Sequence, residues 1–230
     1  MTELNQCTVC GARVFTDYEV LWDELVNDWQ LSPFEVSYIN RQQGRCCSNC
    51  GNNMRSLALA RAITSAFNFE GTLAQFIETD KAKKISVLEI NETGGLSPFL
   101  SKLPLHKLAI YPDYDMTNLA ISSNSFDLVL HSDTLEHIQE PIAGLSECRR
   151  VLVETGRCIY TIPVVVGRLS KSRVGLKNSF HGKQGQSDSD YIVYTEFGAD
   201  MWKYAIEAGF TNVRIHSLEY PAALAIEATK

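Results

Sequence analysis

The chain has 230 residues, 45% hydrophobic and 21% charged, with 21 Lys and Arg against 27 Asp and Glu for a formal charge of -6. This is the composition of a folded globular protein with one main core and room for a small appended module, which argues against a disordered chain, and the acidic balance opposes unaided binding to nucleic acid. No run approaches the roughly 18 apolar residues of a membrane span, and the N-terminus has no basic start leading into an apolar stretch, so a soluble, cytoplasmic protein without a membrane partner is expected.

The seven cysteines are expected to stay reduced, so their spacing is read for metal before disulfides. Cys7-Thr-Val-Cys10-Gly11 and Cys47-Ser-Asn-Cys50-Gly51 are two CxxCG units. Glycine after the second cysteine allows a tight turn in which amide N–H groups face metal-bound sulfur. Cys7, Cys10, Cys47 and Cys50 are therefore candidate ligands of a structural Zn2+, a closed four-thiolate site with no open position. Free thiols in two turns are the alternative. Cys46 competes with Cys47 as a ligand, but only Cys47 gives the two-residue spacing. The gap between the pairs exceeds the usual ribbon spacing and contains a helix-like stretch, Thr16 to Gln30, so residues 1–52 read as a zinc-knuckle module with a helical insertion.

Beyond it, Asn53 to Phe67 has apolar residues at helical spacing, and a short helix is expected over Thr72 to Glu78. Ile85 to Ile90 reads as a buried strand, His106 to Tyr111 as a strand, Phe126 to His131 as a strand, Pro141 to Val153 as a helix and Arg157 to Pro163 as a strand. Such alternation predicts an α/β domain, a Rossmann-like, doubly wound, mostly parallel sheet covered on both faces. Glu196 to Gly209 reads as a helix stopped by glycine, and Thr211 to Leu218 with Ala222 to Ala228 as an antiparallel edge hairpin. Cys148 and Cys158 fall in core elements as small buried groups. Residues 164–190, rich in Gly and Ser and carrying Arg168, Lys171, Arg173, Lys177, His181 and Lys183, form either a substrate lid suited to an anionic ligand or a solvated loop.

The run Asn124-Ser-Phe-Asp-Leu-Val-Leu-His-Ser-Asp-Thr-Leu-Glu-His-Ile138, followed by Glu147-Cys-Arg-Arg-Val-Leu152 and Gly156, resembles the class I S-adenosylmethionine-dependent methyltransferases. In that family an FD opens the fourth strand, an LEH begins the next helix and an RVL...G pattern precedes the fifth strand. The resemblance spans roughly Ser86 to Lys230, and 53–230 is read as the methyltransferase domain. It implies S-adenosylmethionine as cofactor. Glu89 matches the acid ending the first strand; Asn91 and Thr93 stand where glycines are common, and Gly94 with Gly95 keep the close approach. Asp115 and Met116 resemble the pair that holds the adenine, Tyr111 and Asp113 are the nearest candidates for the ribose, and His131, Ser132 and Leu135 would line the sulfonium side. Only 26 positions separate Glu89 from Asp115, too few for the two helices and two strands that the resemblance implies there, so one strand-helix pair is expected to be missing or collapsed.

The resemblance implies methyl transfer, for which the protein aligns an acceptor and manages one proton. His137, His131 and His181 are the candidate bases, with Glu196 a further one. The leading acceptor is a small-molecule or glycan-type metabolite, with an anionic one suited to the lid. An RNA methyltransferase with a zinc module and a methyltransferase-like binding protein that has lost activity are the alternatives. A nicotinamide dehydrogenase is disfavoured by the FD and LEH signatures.

Overall fold

The structure is a computed structural model that describes residues 4–180 and 188–230. In chain order its elements are β1 (Phe15–Thr16), α1 (Asp23–Asp28), α2 (Pro33–Gly44), β2 (Cys46–Cys47), α3 (Met54–Ala66), α4 (Leu73–Phe76), β3 (Val87–Ile90), α5 (Ser97–Leu100), β4 (His106–Ala109), β5 (Phe126–Ser132), α6 (Pro141–Val151), β6 (Leu152–Thr161), β7 (Val164–Val165), β8 (Lys171–Ser172), β9 (Thr195–Gly198), α7 (Trp202–Glu207), β10 (Asn212–Leu218) and β11 (Ala223–Thr229).

The apolar runs of β3 and β5 are buried on both faces, which is what a central parallel strand requires. They lie at the middle of a six-stranded sheet ordered β10-β11-β6-β5-β3-β4. The strands from β4 to β6 run parallel, and the β10–β11 hairpin is antiparallel, with β11 against β6. One face is covered by α3, α4 and α5 through Leu57, Leu59, Ile63, Leu100, Leu128 and Leu130. The other is covered by α6 and α7 through Leu145, Val151, Ala205, Val129 and Tyr160. This is the doubly wound Rossmann-like arrangement, with the edge hairpin where the sequence places it.

The short spacing after Glu89 has its structural counterpart. β4 is the sheet edge, and the chain returns from it to β5 through 110–125 without a regular helix or strand. The strand order reverses between β3 and β5, so the crevice beyond their carboxyl ends is the place where a ligand is expected in such a sheet.

Three local expectations are corrected. Between the knuckles the helix is confined to Asp23–Asp28, and a longer one, α2, follows; Ser32 accepts from Glu35 N while Glu35 accepts from Ser32 N, a capping box with Pro33 in the first turn. β6 begins at Leu152 rather than Arg157, with a register shift opposite Phe126 to Leu128. Glu196 does not start a helix. It lies in β9, which pairs with β7 and β8 in a small three-stranded sheet, and helix α7 is left with Trp202–Glu207.

Polar contacts fasten the insertion to the segment after β6 and to the β10–β11 turn. Trp29 Nε1 donates to Ser179 Oγ at 2.8 Å, and Val166 N donates to Tyr38 Oη at 3.1 Å. Arg41 on α2 reaches Glu219 beside the edge hairpin.

Candidate functional site

The four knuckle cysteines converge. Cys7 and Cys50 sulfurs are 3.6 Å apart, as are those of Cys10 and Cys47, and all four lie within 4.8 Å of one another. A tetrahedral zinc with Zn–S bonds of about 2.3 Å has sulfur–sulfur edges of about 3.8 Å, so the cluster fits this ion. Gly11 and Gly51 take φ of +85° and +72°, and their N–H groups donate to the carbonyls of Cys7 and Cys47 at 2.9 and 2.8 Å. The glycines therefore close the turns, while the N–H groups that face sulfur come from Cys10, Asn49 and Asn52. Burial would raise the Cys10 thiol, but Ala12 N–H and the side chains of Asn49, Cys50 and Cys47 bring it down to about 7. Burial pushes the Cys7 thiol well up, and a bound cation would reverse that. The Cys46 sulfur turns away toward the Gln43 carbonyl.

α3 starts directly after the second knuckle, and its N-terminal end packs on the glycine loop. Asn53 caps it by accepting from Ser56 N at 3.1 Å, and ten of its residues are buried between the module and the sheet. Asn52 lies flat on Gly95: its Nδ2 donates to Gly95 O at 3.2 Å, and a Cβ added at Gly95 would fall 2.5 to 2.8 Å from the Asn52 amide. Arg55 pairs with Asp133, which follows β5 at φ +48°. The crevice between β3 and β5 is therefore rimmed by residues from the knuckle's exit, which the sequence reading did not include.

The predicted cofactor residues divide. Glu89, Asn91, Gly94 and Gly95 stand together at the end of β3, with Asn91 at φ +54° and Gly94 at +63°. Glu89 is wholly buried and accepts from Thr93 N and Oγ1 at 2.8 and 2.6 Å, Ser97 Oγ at 2.5 Å and His106 Nε2 at 2.8 Å. Burial would raise its pKa, but these bonds outweigh it and hold the carboxyl below the usual range. Its role is to brace the loop.

Tyr111 is exposed and tied to the loop by its N–H donating to Asn91 Oδ1 at 3.1 Å. The exposed Asp115 accepts from Thr117 N and Oγ1 in its own turn. Met116 and Leu135 are buried in the core on the α6 side, and Ser132 Oγ lies 2.8 Å from Thr161 Oγ1.

His131 is corrected on both counts. It is fully buried and stacked on Tyr160 at 4.6 Å, so it lines no crevice, and burial drives its pKa to about 3 despite Glu136 nearby, which keeps the ring neutral. His181 lies outside the described residues.

His137 is placed differently. A cavity of about 380 Å³ opens where β5 and β6 end, walled by Trp22, Leu25, Trp29 and Ile39 of the insertion and by Val164, Val165 and Tyr191. Arg55, Asp133, Glu136 and His137 line its polar side. Its volume falls within the range of small-ligand pockets. His137 Nδ1 is 2.9 Å from the Ile192 carbonyl, which can only accept, so this nitrogen carries the proton and Nε2 carries the lone pair in the neutral ring. Nε2 in turn faces the buried Glu136 carboxylate at 3.7 Å.

The methyltransferase domain family matches residues 100–160, the part holding β4, the FD strand, the LEH turn and α6. The chain is similar to the class I S-adenosylmethionine-dependent methyltransferases. Solved structures like it include an S-adenosylmethionine-dependent methyltransferase of Thermotoga maritima, described as a possible histamine N-methyltransferase. It is 16% identical, with 74% of this chain and 94% of that one covered and a TM-score of 0.42. A methyltransferase of Aquifex aeolicus is 12% identical, with 63% and 80% covered and a TM-score of 0.39. A search of curated proteins finds no match. Among the described residues the sheet ends at β4, with the parallel strands β4 to β6 on one side and the antiparallel hairpin on the other. No helix among the described residues is long and apolar enough to cross a membrane.

Proposed function

We propose that the chain is an S-adenosylmethionine-dependent methyltransferase acting on a hydroxyl of a small-molecule or glycan-type acceptor. The observation that supports this most is the cavity at the ends of β5 and β6, which sets His137 and Glu136 beside Arg55 and Asp133 at the rim of the glycine loop. When bound, the cofactor supplies an electrophilic methyl group. Gly94, where an added Cβ would meet nothing nearer than Ser56 Oγ at 3.9 Å, would hold it by close backbone approach, with Asn91 and Tyr111 on the outer side.

The acceptor hydroxyl must lose a proton, and His137 Nε2 is the group we assign to take it. The resulting imidazolium would keep Nδ1–H on the Ile192 carbonyl, and the Glu136 carboxylate 3.7 Å from Nε2 would offset its charge. The insertion's tryptophans offer flat apolar faces to a sugar or other ring, and its helices exclude water from the polar side.

The cations expected to attract an anionic acceptor are in part committed elsewhere: Arg168 to Glu35 and Arg173 to Glu196. This favours a neutral acceptor. A zinc ion in the four-cysteine cluster would be structural, holding the module that roofs the cavity.

A binding protein without transfer activity is the second reading. It is favoured by Asn52 lying on Gly95 and by Glu89 being fully hydrogen-bonded within the chain. Calorimetry with S-adenosylmethionine and S-adenosylhomocysteine separates the two. Saturable binding of both is expected, and absence of binding by either would reject the enzyme reading. With binding established, transfer of a labelled methyl group to a panel of neutral and phosphorylated glycosides tests the acceptor class.

A further inference from the structure

The rim of the crevice holds polar groups that the proposed mechanism does not yet use. Asn52 is 2% exposed, and its Nδ2 faces Gly95 O, Cys50 O and Cys50 Sγ at 3.2 to 3.4 Å. Those neighbours accept hydrogen bonds, so the amide nitrogen must face them, and Oδ1 lies over the bare face of Gly95, 2.5 Å from where a Cβ would stand. Oδ1 is buried and has no hydrogen-bond partner among the described residues. An orphaned buried acceptor costs stability unless something donates to it.

One turn on, the Arg55 guanidinium leans across the crevice to Asp133, and its Nε is also buried with no hydrogen-bond partner among the described residues. Both residues sit at the N-terminal end of the 13-residue α3, where the helix dipole favours negative charge. The glycine loop lies directly beneath: Ser56 Oγ is the nearest atom to a Cβ added at Gly94, at 3.9 Å, which leaves space there.

An Arg–Asp pair at such a place is the electrostatic counterpart of an amino acid zwitterion. A carboxylate can take the guanidinium, and an ammonium can take Asp133 and the Asn52 carbonyl. Entry of the zwitterion would then replace one ion pair by two and leave no buried charge uncompensated.

We propose that Asn52 and Arg55, the residues by which the second knuckle runs into α3, hold the amino acid end of the cofactor, Arg55 its carboxylate and Asn52 Oδ1 its ammonium. This rests on the methyltransferase reading. It also gives the metal module a part in the cofactor site, since the Asn52 amide bridges the Cys50 sulfur and the Gly95 carbonyl. Because Arg55 and Asp133 line the acceptor cavity too, the two ligands would share a wall.

The test compares S-adenosylhomocysteine with 5'-methylthioadenosine, which keeps the nucleoside and sulfur but lacks the amino acid end. Calorimetry on the full chain and on Arg55→Ala and Asn52→Ala reads both ligands. Arg55→Ala is expected to weaken S-adenosylhomocysteine about 10- to 100-fold, the weight of a charge-assisted hydrogen bond, and Asn52→Ala about 3- to 10-fold. Methylthioadenosine should bind all three proteins within about twofold, which also shows that the variants are folded. Equal weakening of both ligands, or no change for S-adenosylhomocysteine, would overturn the assignment. So would wild-type protein that binds the two ligands equally well, a result that leaves the cofactor reading intact. Wild-type protein that binds neither ligand removes the cofactor reading itself.

Discussion

Glu35 on α2 and Arg168 after β7 form a two-point ion pair, Nε to Oε1 at 2.8 Å and Nη2 to Oε2 at 2.9 Å. The same guanidinium donates to the carbonyls of Trp29 and Gln30 at 2.7 Å each. One side chain therefore fastens the turn between α1 and α2 to the main domain and fixes the tryptophan wall of the cavity. Arg168→Ala should cost about 2 kcal/mol, because it leaves the buried Glu35 carboxylate and two carbonyls without this donor. Lysine at 168 should restore little, since an ammonium cannot make the planar two-point contact. Urea denaturation of both variants and of Glu35→Gln checks this, and a coupling below about 0.5 kcal/mol in the double-mutant cycle would refute it.

Gly95 carries a second prediction. The methyltransferase resemblance implies that a cofactor requires its bare backbone, but the atoms closest to an added Cβ belong to Asn52. Gly95→Ala should push the buried Asn52 amide aside, at about 1 to 3 kcal/mol as in other overpacked sites. Most of that loss should vanish when Asn52 is also replaced by Ala. Additive losses in the double variant, measured by thermal unfolding, would show that Asn52 is not the obstacle.

These two cases show what the sequence discloses. Features set by nearby residues are legible: the apolar runs of β3 and β5, the edge hairpin, the paired CxxCG units, and the short path from β3 past β4 to β5 that the 26 positions between Glu89 and Asp115 allow. α2 was announced by Ser32, Pro33 and Glu35, a capping signal that the more hydrophobic stretch before it obscured. The neighbours of Glu196 favour helix, yet pairing of β9 with β7 and β8 decides the matter through long-range contacts. The rim formed by Asn52 and Arg55 was not readable at all. Nothing in the residues after a knuckle says that they will meet a loop some 40 positions later, and only the packing of α3 on the sheet brings them there.

Glu89 gives the pH behaviour. Its pKa is depressed in the folded chain by His106, Ser97 and Thr93, which outweigh the effect of burial. The unfolded state then binds protons more tightly than the folded one, so the stabilisation is fully present above the unfolded value of about 4.3. It is lost as pH falls below that value and through the lower folded pKa. Glu89→Gln should unfold more readily at neutral pH, by about 1 to 3 kcal/mol, and lose less further stability between about pH 5 and pH 3 than wild type does. Parallel pH profiles of unfolding free energy for the two proteins would count against this carboxylate as the source.

The cysteine cluster makes the last prediction. The purified chain should contain about one zinc, bound by Cys7, Cys10, Cys47 and Cys50. Cys10→Ser and Cys50→Ser should each lose it, since serine offers no soft thiolate and the two replaced sulfurs belong to different knuckles. Cys46→Ser is the matched control: its sulfur faces the Gln43 carbonyl, so the metal should remain. Because metal binding and folding of such a module are linked, a chelator should lower the melting temperature of wild type and of Cys46→Ser while leaving the two metal-free variants unchanged. The insertion between the knuckles supplies Trp22 and Trp29, so the same chelator should shift tryptophan emission as the cavity wall loosens. Zinc content equal in all four proteins would exclude these ligands, and a chelator effect on emission without any zinc present would exclude the metal as its cause.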